Sequence, residues 1–213
     1  MLLFAVLASL GVATAFDRFH PYSDYPNPSP MSNGSCNPLP LGKGFQPLPD
    51  TAFQFVHSTQ LADMAKHAPT PDGYNRVFVN LHDSSSASIY LGYDTFDSYN
   101  STLCAEKCNT KAGCIAINIF FERAPTKVVG TGCSNPPSTT MIKCVYWGSE
   151  INEDNTQNSG FAIMSFIVAI SGSNGYVKST ATKNGLVSSS IQIPNYGLPT
   201  LLMSAIAVAF SLM

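Results

Sequence analysis

Charge is scarce in this sequence. Only 11% of its 213 residues are Asp, Glu, Lys or Arg, and the formal net charge is -2. The Lys and Arg residues are scattered, so no basic surface is expected to neutralise phosphates, and nucleic acid is excluded as an expected partner. No G-x-S-x-G elbow, H-E-x-x-H pair or glycine-rich phosphate loop occurs, which removes the hydrolases and nucleotide enzymes that those motifs mark. There is no C-x-x-C pair, and His20, His57, His67 and His82 are scattered far from the cysteine cluster. Zinc is the competing use for those cysteines, but it lacks a ligand spacing here. No metal and no cofactor are expected.

What is present points out of the cell. Met1 to Ala15 is almost wholly apolar or small and closes on Ala13-Thr14-Ala15, the A-x-A pattern of signal-peptidase cleavage. Residues 1–15 are therefore expected to be a signal peptide, with an uncleaved anchor as the alternative. Export would carry Cys36, Cys104, Cys108, Cys114, Cys133 and Cys144 into an oxidising compartment, where an even number of cysteines pairs into disulfides. Spacing alone does not choose among the possible connectivities. Asn33-Gly34-Ser35 and Asn100-Ser101-Thr102 are N-glycan acceptor sequences, provided that they lie on exposed segments.

The other end carries a second address. Leu198 to Met213 is uncharged and apolar apart from Pro199, Thr200, Ser204 and Ser211, and Ser188-Ser189-Ser190 precedes it. That is the layout of a GPI attachment signal, with Ser188 as the ω site. The run is shorter than the roughly 20 residues of a membrane-spanning helix, which makes a tail anchor the second reading and a buried core strand the third. The expected location is extracellular, either secreted or held at the cell surface or wall.

Between these ends, residues 16–50 read as a Pro-rich extended arm, because Pro fixes φ and removes a backbone donor. Residues 51–178 read as one domain of roughly 125 residues, large enough for a single core. Residues 179–197 form a Ser/Thr-rich linker, and 198–213 the hydrophobic tail. Strand patterns recur at Arg76 to Leu81, Ile89 to Tyr93, Ile115 to Phe121, Met141 to Trp147 and Phe161 to Ser171. With turn-forming clusters and no helical crossovers between them, they favour an antiparallel sheet. One helix is predicted: Asn100 is a good N-cap, Ser101 to Cys108 follow it, and Gly113 is a breaker. Spacing of four places Cys104 and Cys108 on one face of that helix.

Three groups of residues are candidates for chemistry or binding. His82-Asp83 before Ser84-Ser85-Ser86 has the residue types of a hydrolytic site, but neighbours on a strand point apart and Ser-rich runs are usually loops. Glu122-Arg123 is either a strand-end surface ion pair or a ligand contact. Tyr90, Tyr93, Tyr146 and Trp147 offer flat rings on which sugars stack. On a regular strand Tyr90 and Tyr93 face opposite sides, so one of them is expected in the core. Trp147, the only tryptophan, is expected there too, with a platform role as the alternative.

The ordered set of motifs resembles a known family. Cys104-x3-Cys108, Cys114 at the head of a strand and Cys144 on a later strand are similar to the PAN/apple module, and more closely to the apple-like domains of secreted fungal proteins. The resemblance runs from Thr70 to Tyr176. It includes Pro71-Asp72-Gly73-Tyr74, Tyr93 to Tyr99, Asn118 to Arg123, Cys133 to Thr140, Ile142 to Gly148 and Gly172 to Tyr176. It implies an α+β fold, an antiparallel sheet with one helix packed across it and stapled by disulfides. It also implies pairing of Cys108 with Cys114 and of Cys104 with Cys144, which leaves Cys36 to Cys133. The implied function is non-catalytic binding of carbohydrate or extracellular protein, with Tyr90, Tyr93, Tyr146, Trp147, Glu122 and Arg123 as candidate contacts. The alternatives are a structural or effector-like disulfide-braced protein without a saccharide site, and a hydrolase with an unrecognised site.

Overall fold

A computed structural model of the chain describes residues 36–179. The expected signal peptide, the sequon at Asn33, Ser188 and the hydrophobic tail lie outside the described residues. The described elements are α1 (Ala52–Val56), α2 (Thr59–His67), β1 (Tyr74–Leu81), β2 (Ser84–Ser85), β3 (Tyr90–Phe96), α3 (Ser101–Thr110), β4 (Ala116–Pro125), β5 (Ser138–Trp147), β6 (Thr156–Asn158), β7 (Gly160–Ile163) and β8 (Phe166–Lys178). The main sheet has the order β1-β8-β4-β5-β3, with β7 also on β8, and β2 pairs with β6 in a separate ribbon. Every strand pair is antiparallel. The fold is α+β.

Three helices pack on the sheet where the sequence predicts one. The two extra helices are short and locally specified. Thr51 accepts a hydrogen bond from the Gln54 amide at the start of α1, and Ser58 accepts one from Leu61 at the start of α2. Pro69 follows α2 and bars the preceding residue from helical backbone. Leu61 and Ala65, four apart, are both fully buried, which gives α2 its inward stripe. Asn174 then fixes that helix to β8 by donating from Nδ2 to the Ala65 carbonyl at 2.7 Å.

The expected single strand over Phe161 to Ser171 is instead a hairpin followed by a long strand. Ile163 pairs with Phe166 across the turn, and Met164 takes a left-handed φ of 51°. Strand β8 continues through Gly172-Ser173-Asn174-Gly175, a composition that reads as a turn in sequence. Small residues are needed there because the Phe121 and Phe78 rings lie against the backbone. A Cβ on Gly172, whose φ is +58°, would sit 2.8 Å from the Phe121 ring.

The sheet has two interior faces. Toward the helices, Ile117, Ile119 and Phe121 of β4 pack with Ile142, Cys144 and Tyr146 of β5 and with Cys104, Ala105 and Cys108 of α3. Away from them, Ala116, Phe120, Val145 and Trp147 pack with Phe78, Ile151 and Val177. Strand β4 is thus buried on both sides over its first eight residues, as a central strand with both faces covered must be.

Three disulfides join Cys104 to Cys144, Cys108 to Cys114 and Cys36 to Cys133, the same pairs that the resemblance implies. The first staples α3 to β5, the second ties the end of α3 to the approach to β4, and the third holds the arm to the β4–β5 connection. The described part of the arm lies along the sheet edge. Its Leu39 amide donates to Thr126 at 2.9 Å, its Asn37 carbonyl accepts from Val128 at 2.8 Å, and its Gly44 amide donates to Thr140 at 3.0 Å. Among the described residues no helix is long and apolar enough to cross a membrane.

Candidate functional site

The edge strand β3 decides where the aromatic residues go. Tyr90 pairs with Trp147, but the next partners are Tyr93 and Val145, so three steps on β3 match two on β5. This is a β-bulge, and Gly92 within it has a φ of 97°, which a residue with a Cβ rarely adopts. Residues directly opposite each other share a face, and Val145 and Trp147, two apart, share one as well. Tyr90 and Tyr93 therefore both project away from the helices. The expectation that they face opposite sides, with one in the core, is corrected by the bulge, and both stay exposed, at 56% and 51%.

Trp147 completes the patch from below. It is only 6% exposed and meets Tyr90 edge-on, with ring centroids 5.5 Å apart. Beside it, the Lys143 ammonium lies 4.9 Å from the centre of the Tyr93 ring and 2.7 Å from Glu122 Oε1. Glu122 Oε2 also accepts from Lys143, at 2.8 Å. Glu122 and Lys143 are largely buried, where a charge needs its partner. Thr95, paired with Lys143, adds an exposed hydroxyl to the same face. Burial of Tyr90 and the neighbouring Tyr93 raise the Tyr90 phenol above its ordinary pKa, partly opposed by Lys143, so it is a neutral hydroxyl at physiological pH.

Two of the candidate contacts sit on the other face. Tyr146 donates to Asp94 Oδ2 at 2.8 Å, and Asp94 also pairs with Lys107 of α3 at 3.1 Å. Burial, with Asp94 as acceptor, raises the Tyr146 phenol well above the ordinary range. This contact fastens helix to sheet. Arg123 does not pair with Glu122, because neighbours on a strand diverge. It pairs with Asp50 at 2.8 Å, donates from Nη1 to the Ile167 carbonyl at 2.7 Å and stands over the Phe166 ring at 4.4 Å. The expected surface ion pair at 122–123 is corrected to two buried charges with separate partners. Asp50 also accepts from the Ser138 amide at 2.8 Å and its hydroxyl at 2.6 Å. Burial alone would raise the Asp50 carboxyl, but Ser138 and Arg123 outweigh it and hold it below its ordinary pKa of 3.8. A cleft of about 180 Å³ beside this cluster is lined by Thr51, Asn135 and Ser165 among others, and Arg123 is already committed to the arm.

Two of the three serines in the run are corrected from loop to strand. Ser84 and Ser85 form β2, where Asn158 Nδ2 donates to Ser84 Oγ at 2.9 Å and Ser85 Oγ meets Thr156 Oγ1 at 2.9 Å. Asn118 of β4 holds this ribbon to the sheet by accepting from the Ser85 amide at 2.9 Å. Burial lowers the His82 pKa, Asp83 opposes that shift, and His57 adds to it. Asn100 is exposed and caps α3, accepting from the Leu103 amide at 2.9 Å.

Lys143 and Thr95 belong to the aromatic face and were not among the candidates from sequence. The available signal was Gly92, an isolated glycine inside a strand pattern, which marks a bulge. The structure thus brings Tyr90, Tyr93, Trp147 and Glu122 together and places Tyr146 and Arg123 elsewhere. Compared with protein-family models, curated proteins and solved structures, the chain matches none of them.

Proposed function

We propose that the chain is a non-catalytic binding module of the PAN/apple kind, exported from the cell, that takes an extracellular carbohydrate or protein ligand on the open half of its sheet. The observation that carries this reading is the pairing of Tyr90 and Tyr93 on one face, both about half exposed. Rings held on strands lose little conformational freedom on contact, and aromatic residues dominate binding energetics where they cluster. Three disulfides suit an oxidising compartment. In this reading residues 1–15 direct export, and Ser188 with the tail at 198–213 retains the protein at the surface or wall. Release by a phosphatidylinositol-specific phospholipase is the expected outcome for that anchor, and persistence in the membrane after effective treatment counts against it.

The test is retention on immobilised glucan, chitin and mannan and on a panel of extracellular proteins. The natural chain is expected to be retained on at least one surface. A Tyr90→Ala/Tyr93→Ala variant should lose affinity at least about tenfold, the effect of about 1.4 kcal/mol, while Tyr146→Phe keeps it. No retention anywhere would favour the second reading, a braced structural or effector-like protein. That reading draws on the disulfides and on the arm strapped to the sheet edge.

A further inference from the structure

Resting on that reading, we infer that the ligand of the open face is a neutral saccharide, stacked on Tyr90 and Tyr93 and hydrogen-bonded by their hydroxyls together with Thr95. Three observations converge on this chemistry, beginning with charge. Of the residues that β3, β4 and β5 turn to this face, only Lys143 and Glu122 are charged, and they neutralise each other at 2.7 Å. An anionic ligand would have to draw Lys143 from a largely buried carboxylate, which leaves that charge uncompensated. A cationic ligand meets the mirror-image cost. A ligand without charge asks nothing of the pair.

The second observation is the kind of polar group on offer. The Tyr90 and Tyr93 hydroxyls form no hydrogen bond among the described residues, although both rings are about half exposed. Apolar ring faces carrying unengaged hydroxyls suit a partner that has flat C–H surfaces edged with hydroxyl groups. That is the chemistry of a pyranose ring.

Size is the third. With β4 and the facing Val145 and Trp147 of β5 buried, a strand spacing of about 4.8 Å and a rise of about 3.3 Å per residue give the open strip along β3 from Tyr90 to Thr95 an area of roughly 100 Å². A stable protein interface takes about 800 Å² from each partner. The neighbouring part of the face is covered by the β2–β6 ribbon, which touches β4 and β8. The open strip fits a short run of sugar units and is too small for a protein partner by itself.

The single tryptophan supplies the readout, because its ring is 5.5 Å from Tyr90. Trp147 fluorescence of the natural, folded chain would be titrated with neutral gluco-, manno- and chito-oligosaccharides and with an acidic oligogalacturonide. Binding would be checked by calorimetry at two salt concentrations. The expected result is saturable binding of at least one neutral series, changing less than about twofold between 0.05 and 0.5 M salt because screening has no charge contact to weaken. Tyr93→Ala should weaken it about tenfold or more, and Tyr90→Phe, which removes only a hydroxyl, by roughly fivefold, the worth of one neutral hydrogen bond. Unchanged thermal unfolding in both variants keeps a binding loss separate from misfolding. Tighter, salt-sensitive binding of the acidic oligosaccharide overturns the inference, as does neutral binding indifferent to both tyrosines. Retention on a protein alone, or self-association through this face in sedimentation, overturns the saccharide while leaving a binding module. Absence of any ligand overturns both.

Discussion

The two faces of the central sheet are made by the same strands and end up in opposite states. Toward the helices, Ile117, Ile119 and Phe121 are completely buried under α1, α2 and α3, and Cys104–Cys144 locks that layer. Away from them, Phe120 and Trp147 are buried, yet Tyr90 and Tyr93 a few ångströms away are left about half exposed. A Leu- or Phe-sized side chain fully exposed forfeits roughly 1.5–3 kcal/mol of burial, so two half-exposed tyrosines forgo a stabilisation of that order. The sealed face offsets it. The loops closed by Cys104–Cys144 and Cys108–Cys114 have sequence separations of 40 and 6, for which the chain-entropy relation gives about 4 and about 2 kcal/mol. Stability and surface chemistry are thus assigned to different sides of one sheet.

That division is broken most severely by opening the sealed face. Replacing Cys104 and Cys144 together with Ala should cost about 4 kcal/mol in urea unfolding, against about 2 kcal/mol for the Cys108 and Cys114 pair. Equal losses would mean that loop entropy is not what the staple contributes. A smaller effect is expected where the second face is closed by its ribbon. Asn118 is fully buried, accepts from Ser85 and donates to Ser173 Oγ at 2.8 Å and to the Asn174 carbonyl at 3.0 Å. Asn118→Ala leaves those groups without their partner and should cost roughly 1–3 kcal/mol. It should also speed amide exchange in β2 and β6 ahead of β4. Uniform exchange would show that the ribbon is not a separate closure.

The arm tests the comparison at the sheet's rim through pH. Asp50 titrates below its ordinary 3.8 in the folded chain. The stability it contributes is therefore complete above that ordinary value and lost as pH falls through the lower folded value. Asp50→Asn should flatten the acid limb of the stability curve and leave the neutral plateau only modestly lower. An unchanged acid limb would detach Asp50 from the arm's anchorage. At the start of α3, Asn100→Ala should cost about 1 kcal/mol through loss of the cap. Thr102→Ala keeps the cap and removes only the glycan acceptor sequence, so a mass loss without destabilisation would separate the two roles of Asn100.

How much of this was legible in sequence depended on whether the signal was local. The α3 cap at Asn100 and the β-branched and aromatic run of β4 are written in adjacent residues and lie where the pattern predicts them. The hairpin at Met164 was not legible, because an apolar run through Phe161 to Phe166 gives no hint of a left-handed residue in its middle. The strand pattern predicted to end at Ser171 continues through Gly172 and Gly175, whose use, accommodating the Phe121 and Phe78 rings, is a long-range fact that adjacent residues do not carry. Glu122 and Arg123 look like a pair in sequence and become partners of Lys143 and Asp50 only once strands are aligned. For the candidate site, the residue types were visible and the side of the sheet was not. One inserted residue at Gly92 reverses the facing of Tyr90 relative to Tyr93, and register is set by partners, not by period.

The smallest expected effect decides whether that reversal has a purpose. If the bulge exists to present two rings to solvent, removing one should barely matter to folding. Tyr93→Ala should cost less than about 1 kcal/mol, near the range of surface substitutions away from the core. Removing the bulge should cost binding without comparable loss of fold. Gly92→Val, whose branched side chain disfavours the positive φ of the bulge, should favour a regular register in which Tyr90, three residues from Tyr93, turns to the helix side, so the Trp147 emission should shift as its edge-on partner leaves. A Tyr93→Ala cost as large as that of Asn118→Ala would make Tyr93 a packing residue, held in place by Lys143 above its ring. The open half of the face would then be unfinished core instead of a surface kept clear for a ligand.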